Sequence, residues 1–156
     1  MNALEYADNL ARCIKSSSRV ELILRREYEK SVTAFIGTAQ DRQDWQAATP
    51  YAGVTAQSFQ ESTDRVSSEI SLEIGLYDER VTTEGGIGRL AAYTVLAELV
   101  PAIQRDFKEK VLNAIGSSTV YLEESRVEYS QAEFPLVTAT LTFEIVEPIP
   151  VGRWMR

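Results

Sequence analysis

Between residues 67 and 113 the hydrophobic period changes once, and that change limits the available architectures. SSEISLEIGLYDE (67–79) alternates strictly. Ile70, Leu72, Ile74 and Leu76 fall on one side; Ser71, Glu73, Gly75 and Tyr77 fall on the other. A glycine-bearing turn follows. Residues 88–113 then step by three and four, through Leu96, Leu99, Val100, Ile103, Phe107 and Val111. A half-buried strand that leads into a helix apolar nearly all round calls for a sheet with that helix buried against it. Pro101 either kinks the helix or begins a second one.

The flanking segments extend this plan. Residues 2–16 are expected to form a helix capped by Asn2, with Glu5 placed to reach back. Leu4, Ala7, Leu10, Ala11 and Ile14 share its apolar face, and the serines at 16–18 end it. Residues 19–37 admit two readings. Val20, Leu22 and Leu24 alternate as in a strand, whereas Ser18 followed by Glu21 spells a helix capping box. We read two strands, the second being SVTAFIG (31–37). Residues 38–67 are polar, without clear periodicity, and carry Trp45, Tyr51, Val54 and Phe59. A long functional loop or an extended hairpin in need of a partner is expected there. The strands 119–129 and 136–146 close the chain as a hairpin. Val137, Ala139, Leu141, Phe143 and Ile145 take the core face; Pro148 and Pro150 stop the second strand.

Composition removes several functions. The 156 residues are 44% hydrophobic, enough for one folded domain over 1–156. No apolar run approaches the roughly 20 residues of a membrane span. The opening residues, with Asn2, Glu5 and Asp8, do not read as a signal peptide, so assembly in the cytoplasm is expected. Histidine is absent and Cys13 is the only cysteine. A Ser-His-Asp triad, a Cys–His pair and a His-based zinc site are therefore excluded. The net charge of −7 repels phosphate backbones, and Arg19, Arg25 and Arg26 are interleaved with Glu21, Glu27 and Glu29. No nucleic-acid readout is expected.

The candidate sites are weak as chemistry. Gly86, Gly88 and Ala91 match G-x-G-x-x-A, a dinucleotide-loop spelling. Yet DERVTTE (78–84) separates the strand from the glycines and puts Asp78, Glu79 and Glu84 where phosphates would sit. Gly85, Gly86 and Gly88 are read instead as a tight turn into the long helix, with Gly86 or Gly88 at positive φ. Asp106-Phe107-Lys108 has a nuclease-like D-x-K spelling but lies within the helix, and reads as a solvated helix end. Glu123, Glu124, Glu128 and Glu133 crowd the final hairpin without metal-loop spacing, and read as an acidic surface. Cys13 reads as a small core residue. No catalytic residue, metal or cofactor is assigned. Trp45, Tyr51, Phe59 and Trp154 lie in segments without an evident core role. They either contact a partner or fold back onto the domain.

The order of elements resembles the tail-terminator (minor tail protein U-like) and tail-completion proteins of long-tailed bacteriophages. SSEISLEIGLYDE followed by RLAAYTVLAELVPAI, and the closing FPLVTATLTFEIV, carry the resemblance. It implies an α+β fold: a mixed or antiparallel sheet, an N-terminal helix and one long central helix on one face, and a C-terminal hairpin. It further implies a hexameric ring in the virion tail that caps the tube, stops its growth and offers a surface for the head. The partners would be other copies of the chain, the tube protein and a head-completion or connector protein. A head–tail adaptor or tube subunit of the same particle is the alternative, followed by a small carboxylate- and metal-dependent enzyme.

Overall fold

In the computed structural model, which describes residues 1–37, 45–113 and 120–149 (the side chains of Trp45 and Gln46 excepted), helices cover one face of a mixed five-stranded sheet. Two helices open the chain, α1 (Ala3–Ser16) and α2 (Ser18–Tyr28). A short strand β1 (Thr33–Ile36) and a single helical turn α3 (Trp45–Ala48) precede β2 (Tyr51–Glu61) and β3 (Arg65–Tyr77). A small separate hairpin, β4 (Val81–Glu84) and β5 (Ile87–Leu90), leads into α4 (Ala91–Asp106). A π-helical turn (Phe107–Leu112) prolongs α4, and β6 (Tyr121–Ser130) and β7 (Leu136–Pro148) follow.

The sheet order is β1-β2-β3-β7-β6. β1 lies parallel to β2, and all other neighbours are antiparallel. β3 occupies the centre and pairs along its whole length with β7, from Arg65 opposite Pro148 to Tyr77 opposite Leu136. The period-two reading holds. Ile70, Leu72, Ile74 and Leu76 are buried with Val137, Ala139, Leu141, Phe143 and Ile145 in one core beneath α1, α2 and α4. Phe107 stacks on Phe143 with ring centroids 5.3 Å apart. α1 packs over β1 and β2, α4 touches β7, and α2 packs on α4.

Local chemistry fixes the helix ends. The Asn2 side chain accepts from the Glu5 amide at 2.9 Å, as the capping pattern requires. Leu4 departs from the expected face and is exposed; Tyr6 and Cys13 join the buried stripe instead. The strand expected after residue 18 is a helix. Ser17 ends α1 and caps α2 at once, its hydroxyl accepting from the Val20 amide. Val20, Ile23 and Leu24 are the buried positions, at helical spacing, while Leu22 points to solvent. The alternation of Val20, Leu22 and Leu24 was thus accidental; the helical alternative holds, but its cap is Ser17, and Ser18 is the first helical residue. Pro101 lies inside α4 and on its solvent side, so neither a break nor a second helix begins there.

The glycines do not enter the helix. Gly85 (φ 60°) and Gly86 (φ 81°) form the two-residue turn of the β4–β5 hairpin, and Gly88 is a strand residue opposite Thr83. Positive φ at both central positions is what a tight hairpin following the strand twist demands. Helix α4 starts at Ala91, after the hairpin closes. A Cβ at Gly86 would meet nothing within 4 Å, so its cost is conformational alone. Gly86→Val is expected to destabilise the hairpin by about 1 kcal/mol. The readout is a roughly fivefold faster amide exchange confined to β4 and β5, with global stability unchanged.

The segment 38–67 is only in part a loop. From Tyr51 to Glu61 it is β2, a full partner of β3, with a register shift between Ala56 and Ser58. β2 makes its hairpin with β3, most of which lies beyond residue 67, so among the described residues the segment forms no hairpin of its own.

Candidate functional site

The face of the sheet away from the helices has two distinct ends. At one end Phe35, Tyr51 and Leu136 form a second, small apolar cluster. Tyr51 is 1% exposed, and its ring sits 5.8 Å from that of Phe35. Two glycines make the room. A Cβ at Gly75 would lie 2.1 Å from the Tyr51 ring, and one at Gly53 would lie 2.8 Å from Phe35. The Tyr51 hydroxyl donates to Glu73 at 3.0 Å. Burial, followed by the charges of Glu73 and Glu133, raises the phenol well above its ordinary value. Tyr51 therefore folds back onto its own domain, one of the two readings open to it.

Toward the other end the register brings up Glu69, Glu124, Glu128 and Glu144, with Arg65 and Arg126 among them. Arg65 reaches Glu123 at 3.2 Å, and Arg126 reaches Glu128 at 3.4 Å. Glu123, Glu124, Glu128 and Glu133 are all exposed. Among the described residues no group of three or more cysteines and carboxylates is placed to hold a metal ion.

On the helix side, one buried carboxylate fixes the base of the small hairpin. Asp78 accepts from the Tyr28 hydroxyl at 2.8 Å and from Arg80 through its backbone amide, Nε and Nη2 at 3.0, 3.0 and 2.9 Å. Burial alone would raise the Asp78 carboxyl; the hydrogen bonds from Arg80 and Tyr28 outweigh it and hold the group below its ordinary range. Arg80 also reaches Glu27 and lies over the Tyr28 ring at 5.7 Å. The Ala91 amide donates to the Arg80 carbonyl, closing the hairpin base onto α4.

A second buried carboxylate, Asp106, corrects the reading of a solvated helix end. It is 2% exposed and accepts from the Ser17 hydroxyl that caps α2. Arg19 at 3.5 Å and Lys110 at 3.8 Å supply its counter-charges, while Lys108 points to solvent. The D-x-K spelling therefore does not bring its two charges together. Cys13 is buried, and burial, followed by the nearby Asp106 charge, raises its thiol.

Of the other expected contacts, Phe59 is 49% exposed on β2. The Trp45 side chain and Trp154 lie outside the described residues. The feature missed by sequence reasoning is the β4–β5 hairpin itself. Every residue from Val81 to Arg89 is exposed, and Val81 (62%) and Ile87 (68%) hold apolar side chains in solvent on opposite faces. Its signal was present: two glycines between β-branched and apolar residues. No protein-family model matches the chain, and no curated protein sequence matches it significantly. No helix among the described residues is long and apolar enough to cross a membrane.

Proposed function

We propose that the chain is a non-catalytic structural protein of a long-tailed bacteriophage, assembled in the host cytoplasm and retained in the virion tail. Six copies close into a ring that caps the tail tube, ends its growth and offers the surface to which the head joins. The observation that carries this reading is the open sheet. β6 has ten residues and, among the described residues, no strand on its outer side. β2 outruns β1 from Thr55 to Glu61, and among the described residues no strand pairs with it on that side there. Long unpaired edges are a liability for a lone domain and an asset for an assembly. Within one sheet β2 and β6 run in opposite directions, because two antiparallel steps through β3 and β7 precede the last. Continuing the sheet from one copy's β6 to the next copy's β2 therefore makes an antiparallel pair. Such a contact uses two different patches, so it closes a ring or grows a filament.

Mass measurement at rising concentration, followed by electron microscopy, tests the reading. A single closed ring is the expected species. Unlimited tubes formed by the protein alone would identify a tube subunit instead, and a monomer at every concentration that also ignores tube ends would overturn the ring.

A further inference from the structure

We infer that the β4–β5 hairpin is an arm that inserts into a recess of the next copy of this chain, beside Arg12 and Lys110. The inference rests on the ring reading and names one of its contacts. A two-stranded hairpin with both faces in water is marginal on its own. This one is nonetheless strongly specified, by two positive-φ glycines at its tip and by the Asp78–Arg80 clamp at its base. It is a built projection that covers almost nothing in its own chain.

The tip has a particular chemistry. Glu84 and Ile87 are opposite each other, so a carboxylate and an exposed aliphatic group share the end of the arm. Arg89 shares that face but lies toward the base. The complementary surface lies at the far end of the molecule. Met1, Asn9, Arg12, Cys13, Ser16, Lys110 and Val111 line an open recess of about 360 Å³. Its floor is apolar and its two charged side chains are basic. Arg12 is paired with Asp8 at 2.7 Å. Lys110 is 3.8 Å from Asp106, a carboxylate it shares with Arg19, so its charge is only partly compensated. An aliphatic residue beside a carboxylate fits that recess in shape and sign.

The arm cannot reach its own recess. The hairpin precedes the first residue of α4, and Lys110 and Val111 sit in the π-helical turn beyond its last. The helical path between them is on the order of 30 Å. The contact is therefore between copies and uses two different patches.

The test uses charge reversal in the full chain, with self-association read by sedimentation and the contact itself by zero-length carbodiimide coupling. Glu84→Lys and, separately, Ile87→Asp should each weaken association by about tenfold or more. Both positions are exposed, so the circular dichroism spectrum should not change. Lys110 also neutralises buried Asp106, so the fold of Lys110→Glu is verified by circular dichroism; folded, it should weaken association alone and restore it in combination with Glu84→Lys. In the unmodified ring, coupling should join Glu84 of one copy to Lys110 of another. Rings that form equally well with Glu84→Lys and Ile87→Asp would overturn the arm while leaving the ring. Failure of Lys110→Glu to restore Glu84→Lys would overturn the pairing. An unmodified chain that never associates, in solution or on tubes, would overturn the ring and the arm together.

Discussion

Replacing Gly75 by alanine is expected to destabilise the fold by about 3 kcal/mol, a large effect for one methyl group. The new Cβ would lie 2.1 Å from the Tyr51 ring, and the ring cannot yield cheaply. Tyr51 is buried, packs on Phe35 and Leu136, and donates to Glu73. Overpacking of this kind costs roughly 1–3 kcal/mol, and expelling the ring forfeits a hydrogen bond worth about 1 kcal/mol more. The strand itself tolerates alanine, so the loss belongs to the ring. Denaturant unfolding of Gly75→Ala, Tyr51→Leu and the double variant separates the terms. The double variant should be less damaged than the sum of the singles. Simple additivity would show that the Gly75–Tyr51 contact does not decide the packing.

Asp78→Ala should cost a similar amount, about 3 kcal/mol at neutral pH. The carboxylate is buried, and its removal leaves the Tyr28 hydroxyl and the Arg80 guanidinium without their shared acceptor. Arg80 is half exposed and can recover some hydration, so the upper end of the usual range is not reached. The sign of the pH dependence follows from the lowered carboxyl. The unfolded chain takes up its proton near pH 4, whereas the folded chain resists until lower pH. The stabilisation is therefore complete above about pH 4 and is lost as pH falls through the folded value. The gap between the unmodified protein and Asp78→Ala should narrow in acid. A gap independent of pH would mean that Asp78 acts through packing and not through its charge.

How legible the fold was depended on how many signals acted on each segment. β3 and β7 were readable because both bury a single face of aliphatic residues, and nothing competes with that pattern. The Asn2 cap was readable because it is local. Residues 18–28 carried two conflicting patterns, and Leu22, exposed in the helix, supplied the misleading one. β2 was hidden for a different reason. Its inward residues include Ala52 and Ala56, its outward ones include Gly53 and Thr55, and the register shift at Ala56 breaks the period. Small residues on both faces of a strand leave little hydrophobic contrast to detect. Gly53 and Gly75 make sense only once Phe35 and Tyr51 are seen across the strands.

The candidate surfaces were legible only in their parts. The glycine pair announced a tight turn, but whether that turn joins strand to strand or strand to helix depends on Val81 pairing with Leu90 and Glu84 with Ile87 across it. The acidic crowding at Glu123, Glu124 and Glu128 was visible as charge; that Glu124 and Glu128 join Glu69 and Glu144 on the face away from the helices comes from sheet order, which no local pattern encodes. Asp106 misled in the opposite sense. Its neighbours Arg105 and Lys108 are exposed, and its partners Ser17 and Arg19 lie far away in sequence on another helix.

Tube length is the most direct measurement of the central proposal. Tube subunits of the same particle would be polymerised with increasing amounts of the purified chain, and lengths would be scored by electron microscopy. The expected result is a dose-dependent halt of growth, with one ring of the protein at each stopped end and Glu84→Lys less potent than the unmodified chain. Tubes that grow to the same length with no protein at their ends would contradict the account.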